Sequence, residues 1–306
     1  MRYVEVAGER MSAIGLGTWQ FGTPDWGYGP AYADIVAPAL VQRALELGVT
    51  LIDTAEVYGG GGSERIVGLA LRDAPGTAFI ATKLNPILPI PPLMVRRAAA
   101  SRERLGIPVI DLYQIHWPNP LVPVGLQAAG LREILDRGIA RQVGVSNHSL
   151  GRWQSMERAL GRPVLSNQVE FSLARPGPAR EMVPYAQASD RLVIAFSPLG
   201  QGLLASMDRQ RVNPARRLRR FLGAAGARDA SGLRAIVSEI AAAHDATMGQ
   251  VALAWLIGHS NVVAIPGART VEQLESNVLA ADLELSPDER RMLTEAARRL
   301  EQARGR

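Results

Sequence analysis

At 306 residues with 47% hydrophobic side chains the chain can bury a large core, and no composition shift or Pro/Ser-rich linker divides it, so 1–306 reads as a single domain. The net charge of +5 comes from 33 arginines and one lysine spread over the whole length, and aromatics make up only 5%, which argues against a nucleic-acid surface. Zero cysteines exclude disulfides, thiolate nucleophiles and thiolate-held metals, no His cluster suggests another metal site, and "MRYVEVAGER" has no apolar signal core. No run approaches the roughly 18 apolar residues of a membrane span, so a cytoplasmic, soluble protein is expected.

The start reads as a hairpin: "YVEV" (3–6), a turn at "AGER" (7–10), then "MSAIGLG" (11–17). Strand-like runs then alternate with stretches of helical period. "IGLGTW" (14–19) precedes the helical "DIVAPALVQRALELG" (34–48), and "TLIDTA" (50–55) precedes "SERIVGLALR" (63–72). "AFIATK" (78–83) leads to "PLMVRRAAASRERLG" (92–106), and "DLYQIHW" (111–117) to "VGLQAAGLREILDRG" (124–138). "RQVGVSN" (141–147), "LSNQVEF" (165–171) and "LVIAFSP" (192–198) follow, then the helical "LRAIVSEIAAAH" (233–244), "VVAIPG" (262–267) and a closing helix at 290–305. Eight β-then-α units with continuous Val/Ile/Leu strands argue for a parallel sheet closed as a (β/α)8 TIM barrel, with the hairpin and closing helix as additions.

In such a barrel, reactive groups gather where the strands end. Asp53, Lys83, His116 and Ser146 with Asn147 stand at the ends of four successive predicted strands, separated by 30, 33 and 30 residues. Taken singly, each has an ordinary reading: a turn-forming Asp, a surface Lys, a rim His, and a Tyr58 that packs its loop. Their convergence on one rim favours a site, because a buried Asp and Lys must pair there. Lys83 is the one lysine of the chain. An ammonium is a compact charge with three rotatable donors, where a guanidinium is planar and fixed.

"GLGTW", "LIDTAEVYGGGGSE", "FIATK", "DLYQIHWP", "GVSN", "NQVEF", "FSPLGQGLL" and "IPGARTVEQLESN" occur in an order and at distances that resemble the aldo-keto reductase superfamily, from about residue 14 to residue 285. The resemblance implies four catalytic positions, Asp53, Tyr58, Lys83 and His116. The implied reaction is NADPH-dependent reduction of aldehydes and ketones by hydride transfer, with Tyr58 as proton donor. Lys83 is expected to stabilise the phenolate, Asp53 to hold the ammonium, and His116 to orient the carbonyl. His rather than Glu at 116 points to carbonyl rather than double-bond reduction.

The same resemblance implies NADP(H) across the rim. Thr18, Trp19 and Asp53 stand at its nicotinamide side, and Ser146, Asn147 and Gln168 hold the carboxamide. Phe196 stacks on the ring, and Ser197, Pro198, Leu199 and Gln201 follow along the same loop. Ile265, Gly267, Arg269, Gln273 and Asn277 lie at the adenosine end. Gly267 and Gln273 stand where many members carry Lys and Arg, so NADPH preference over NADH rests on Arg269.

Trp19, Trp26, Tyr28 and Trp117 are the candidate substrate pocket. The stretch 206–229, with seven arginines, is too long for an ordinary loop and reads equally as a lid over the cofactor or a solvated excursion. The chain ends after one helix, which implies an open site with broad substrate selection. The alternatives are an NAD(P)-linked sugar or polyol dehydrogenase and, less favoured, an NADP(H)-binding regulatory subunit resembling potassium-channel β-subunits. The expected partner is a small carbonyl substrate, with no nucleic acid, membrane or obligatory protein partner.

Overall fold

The computed structural model describes residues 1–22, 32–72, 74, 76–204 and 224–304, with backbone alone for 224–229. Eight strands run parallel in chain order: β3 Leu16–Gly17, β4 Leu51–Asp53, β5 Phe79–Leu84, β6 Ile110–Ile115, β7 Ala140–Ser146, β8 Ser166–Glu170, β9 Leu192–Phe196 and β10 Val262–Ala264. Parallel bridges Ile14–Ala264 and Gly17–Gly267 join the last strand to the first. Gly15 N–H donates to Ala264 O at 2.8 Å and Ala264 N–H to Ala13 O at 2.9 Å, so the sheet closes into the expected barrel.

Strand periodicity divides these residues into two sets. Outward positions such as Ile52, Ile80, Tyr113, Val143, Val193 and Val262 join the large core beneath the helices. Inward positions Leu51, Phe79, Ala81, Leu112, Leu192, Ile194 and Val263 form a second cluster inside the barrel. The antiparallel hairpin β1 Tyr3–Val6 and β2 Glu9–Ser12 contributes Val6 and Met11 to that inner cluster, and so plugs the barrel end opposite the strand C-termini. Its turn is tighter than the sequence suggests: Ala7 (φ 51°) and Gly8 (φ 80°) make it, and Glu9 and Arg10 already pair in β2.

Outside lie α1 Ala37–Glu46, α2 Gly62–Ala70, α3 Pro91–Leu105, α4 Val124–Asp136, α5 Leu150–Leu160, α6 Pro178–Ser189, α7 Ala224–Ala243, α8 Met248–Ile257, α9 Val271–Leu279 and α10 Pro287–Arg304. Their ends follow local chemistry: α3 opens on prolines and closes on left-handed Gly106, and α8 starts with a Thr247/Gln250 capping box. α7 begins at Ala224, so the backbone of 224–229, expected within the arginine-rich loop, is helical. Residues 206–223, the rest of that stretch, lie outside the described residues. Among the described residues, no helix is long and apolar enough to cross a membrane and no cluster of His, Asp and Glu could hold a metal.

Candidate active site

The inner cluster explains where the site falls. Asp53 follows Leu51 by two residues, Lys83 follows Ala81 by two, and Gln114 and Gln168 occupy the same inward register on β6 and β8. Alternation therefore aims them all into the barrel, one or two layers above the apolar plug.

There Lys83, fully buried, donates from Nζ to Asp53 Oδ2 at 2.6 Å, to Thr54 O at 2.8 Å and to the Tyr58 hydroxyl at 3.3 Å. The three hydrogens of the ammonium thus have three acceptors. Asp53 Oδ1 accepts Gln168 Nε2 at 2.7 Å, so both carboxylate oxygens face donors. Burial pushes the Asp53 carboxyl up, opposed by Lys83 and Gln168. With donors on both oxygens there is no acceptor for a carboxyl proton, and the pair stands as carboxylate and ammonium. Burial lowers the Lys83 affinity for its proton, but Asp53 and Tyr58 outweigh it and the ammonium is held more firmly than usual.

Tyr58 is carried by the turn between β4 and α2. Gly59 follows it at φ 57°, and a Cβ there would come within 2.3 Å of Gly22 O, so only glycine lets these two loops abut. The Tyr58 and His116 rings meet edge to face at 5.7 Å, and Trp117, half-exposed, stacks on His116 at 5.7 Å and 16°. Burial, with Lys83 opposing it, pushes the phenol up, where the sequence reading has Lys83 favouring phenolate. The phenol is therefore a firmly protonated donor. His116 is lowered to about 3 by burial and the Lys83 charge, and is a neutral imidazole at ordinary pH.

Beside these, Asn147 at φ 59° turns Nδ2 onto His116 O and Ser146 Oγ, each at 3.0 Å. Ser146 Oγ donates to Gln168 O at 2.9 Å, so its proton is committed within the protein. Among the described residues the amide nitrogens of Asn147 and Gln168 are engaged, while Asn147 Oδ1 and Gln168 Oε1 accept no hydrogen bond. Thr18 is likewise engaged, its hydroxyl donating to Asp53 O at 2.8 Å and lying 2.7 Å from Ser63 Oγ, which stitches β3, β4 and α2. Trp19 is half-exposed.

Phe196 ends β9 on its inward register, half-buried. Ser197 and Gln201 adopt φ 50° and 54°, Pro198 is buried, and Leu199 packs on the outer core. The Ile265 side chain belongs to the inner apolar cluster. Gly267, Arg269 and Gln273 are exposed and Asn277 buried. Gln273 Oε1 accepts Arg269 N–H at 2.9 Å, so this side chain closes the start of α9. Trp26 and Tyr28 lie outside the described residues.

Thr54 O has no signal in the sequence because it acts through its backbone. Glu56, in "DTAEVYG", was readable as a charged residue beside Tyr58, and it proves to be a largely buried carboxylate paired with Arg97.

Residues 13–298 match the model of the aldo/keto reductase family. This chain belongs to that family, and is an oxidoreductase. An uncharacterised oxidoreductase of Mycobacterium tuberculosis is 50% identical over 301 residues, covering 97% of this chain and 93% of the relative. The methylglyoxal reductase of Escherichia coli is 33% identical over 287 residues, covering 94% and 91%. Among solved structures, an aldo-keto reductase from Klebsiella pneumoniae in complex with NADPH superposes with a TM-score of 0.78 at 28% identity, covering 96% of this chain and 95% of that one.

Proposed function

We propose that this protein is an NADPH-dependent carbonyl reductase that turns aldehydes and ketones into alcohols, with Tyr58 as the proton donor. The observation that carries the reading is the Lys83 ammonium, which shares its three hydrogens among Asp53, Thr54 O and Tyr58. Such an ammonium stabilises the phenolate left when Tyr58 gives its proton to the carbonyl oxygen. Neutral His116, edge-on to Tyr58, donates a hydrogen bond to the same oxygen and aligns it.

The donor set fits a nicotinamide. Asn147 Oδ1 and Gln168 Oε1 suit the amide hydrogens of a carboxamide, Phe196 offers an aromatic face, and Arg269 with Asn277 would meet the adenosine end. When bound, the cofactor supplies the hydride to the carbonyl carbon. Its complex with NADPH in the Klebsiella pneumoniae relative supports that choice. The kinship to a methylglyoxal reductase puts small dicarbonyls beside aromatic aldehydes as substrate classes.

The test is NADPH oxidation by the purified protein with methylglyoxal, aromatic aldehydes and sugars, with NADH in parallel. Tyr58→Phe should lose roughly 100-fold or more in turnover while binding NADPH unchanged. Arg269→Ala should weaken NADPH and leave NADH alone. Absence of turnover with every carbonyl, or equal turnover by Tyr58→Phe, sinks the reading.

A further inference from the structure

Two residues before Tyr58, the Glu56 carboxylate accepts the backbone N–H of Asn85, two residues beyond Lys83. The Glu56 N–H in turn donates to Lys83 O at 3.3 Å. Arg97 of α3 forks onto both oxygens of that carboxylate, with NH2 2.7 Å from Oε1, the oxygen Asn85 also meets, and Nε donating to Oε2 at 3.1 Å. A further donation from Arg97 NH1 to Ile87 O at 3.3 Å ties in the loop after β5.

The Glu56 and Arg97 side chains are only 10% and 25% exposed. A fork of this kind, little wetted, fixes both partners in one geometry. It therefore joins three pieces of backbone: the turn bearing Tyr58, the strand end bearing Lys83, and the loop beyond. Downstream of Tyr58 the chain reads Gly59, Gly60, Gly61 and Gly62, which supply no side-chain anchor. The side-chain anchor of this turn lies upstream, at Glu56. Of the three Lys83 bonds, the one to Tyr58 is the longest, and Asp53 and Thr54 hold the ammonium whether or not Tyr58 is in place.

We infer that Glu56, braced by Arg97, is a positioning residue that sets the Lys83–Tyr58 separation and with it the efficiency of proton delivery. The inference rests on the carbonyl-reductase reading above. Misplacing a reacting group by a fraction of an ångström lowers the rate without weakening binding.

The experiment measures kcat and KM of Glu56→Ala, Arg97→Ala, their double variant and Glu56→Gln with NADPH and an aromatic aldehyde across pH, together with the crystal structure of Glu56→Ala. Each alanine variant should lose about ten-fold in kcat with both KM values within about two-fold. The double variant should be no worse than either single one. Its alkaline limb of kcat should move to higher pH, because a phenolate farther from Lys83 is less stabilised. Glu56→Gln keeps an acceptor for Asn85 and should recover most of the turnover.

In the crystal structure, Nζ and the phenol oxygen should part beyond hydrogen-bond distance. An unmoved alkaline limb, with a rate loss matched by a loss of folded enzyme, overturns the inference. Should the wild-type protein reduce no carbonyl, the functional reading fails by itself. The crystal structure then decides for Glu56, and an unchanged separation in Glu56→Ala rejects it.

Discussion

Lys83 Nζ lies 2.6 Å from Asp53 Oδ2, and both side chains are closed to water inside the barrel. Each charge is tolerated there because of the other, and neither has a substitute: among the described residues no second cation contacts Asp53, and the remaining Lys83 acceptors are a carbonyl and a phenol. Removing one partner leaves a buried charge stranded, whereas removing both removes the problem. Lys83→Met should therefore cost about 3–5 kcal/mol, and the Asp53→Asn/Lys83→Met double variant should recover most of that. Urea unfolding of the three proteins decides it. Equal losses in the single and double variants would show that the pair is not coupled.

The one lysine in a chain of arginines leads to a second expectation. A guanidinium at position 83 is planar and wider, and its fork cannot point at Asp53 Oδ2, Thr54 O and Tyr58 from one apex. Lys83→Arg should keep the positive charge, and with it much of the stability, yet lose turnover by roughly 100-fold. Turnover near the wild-type rate with an unshifted pH profile would show that charge alone suffices.

That contrast also marks what the sequence discloses. Alternation within "TLIDTA" and "FIATK" puts Asp53 and Lys83 on the inward face with Leu51 and Ala81, so their meeting follows from strand period and barrel closure alone. The eight strands are legible for the same reason, as continuous apolar runs at regular spacing. Legibility fails where the local signal is weak. α6 carries Pro184 in its interior, α8 is apolar nearly all round, and the hairpin turns through a left-handed Ala7 that no turn preference favours. The Glu56–Arg97 pair joins positions 41 residues apart, and in a chain with arginine everywhere nothing in the sequence singles out Arg97.

His116 gives a pH dependence of known sign. Its folded value is about 3, against about 6.5 for an unfolded histidine. Above the unfolded value both states are neutral and its contribution is fully present. As pH falls from about 6.5 toward 3, the unfolded chain takes up a proton that the folded one refuses, and stability drops by up to about 1.4 kcal/mol per pH unit. His148 and His259, also lowered by burial, add to the slope in wild type and variant alike. His116→Gln should thus show a shallower loss of stability between pH 6 and 4 than wild type, read from urea midpoints. In the same window kcat/KM of the wild type should show no limb near 6.5. A limb there would mean that the imidazole titrates in the folded enzyme and is not the neutral donor described.

Gly144 of β7 points inward between Gln114 of β6 and Ser166 of β8, in register with both. A Cβ at 144 would come 2.3 Å from Ser166 Oγ and 3.0 Å from Gln114 Cγ. Ser166 Oγ donates to Gln114 Oε1 at 3.1 Å, and Gln114 Nε2 is buried with no partner among the described residues, so the layer already carries one donor unmet by them. Any added atom must push Ser166 or Gln114, and Gln114 pairs in register with Lys83 on the neighbouring strand. Gly144→Ala should cost about 1–3 kcal/mol by overpacking, with the urea m-value unchanged. Adding Ser166→Ala removes the nearest obstruction and should restore part of the loss, leaving the contact with Gln114. If Gly144→Ala were as stable as wild type, the lumen would have slack at this level.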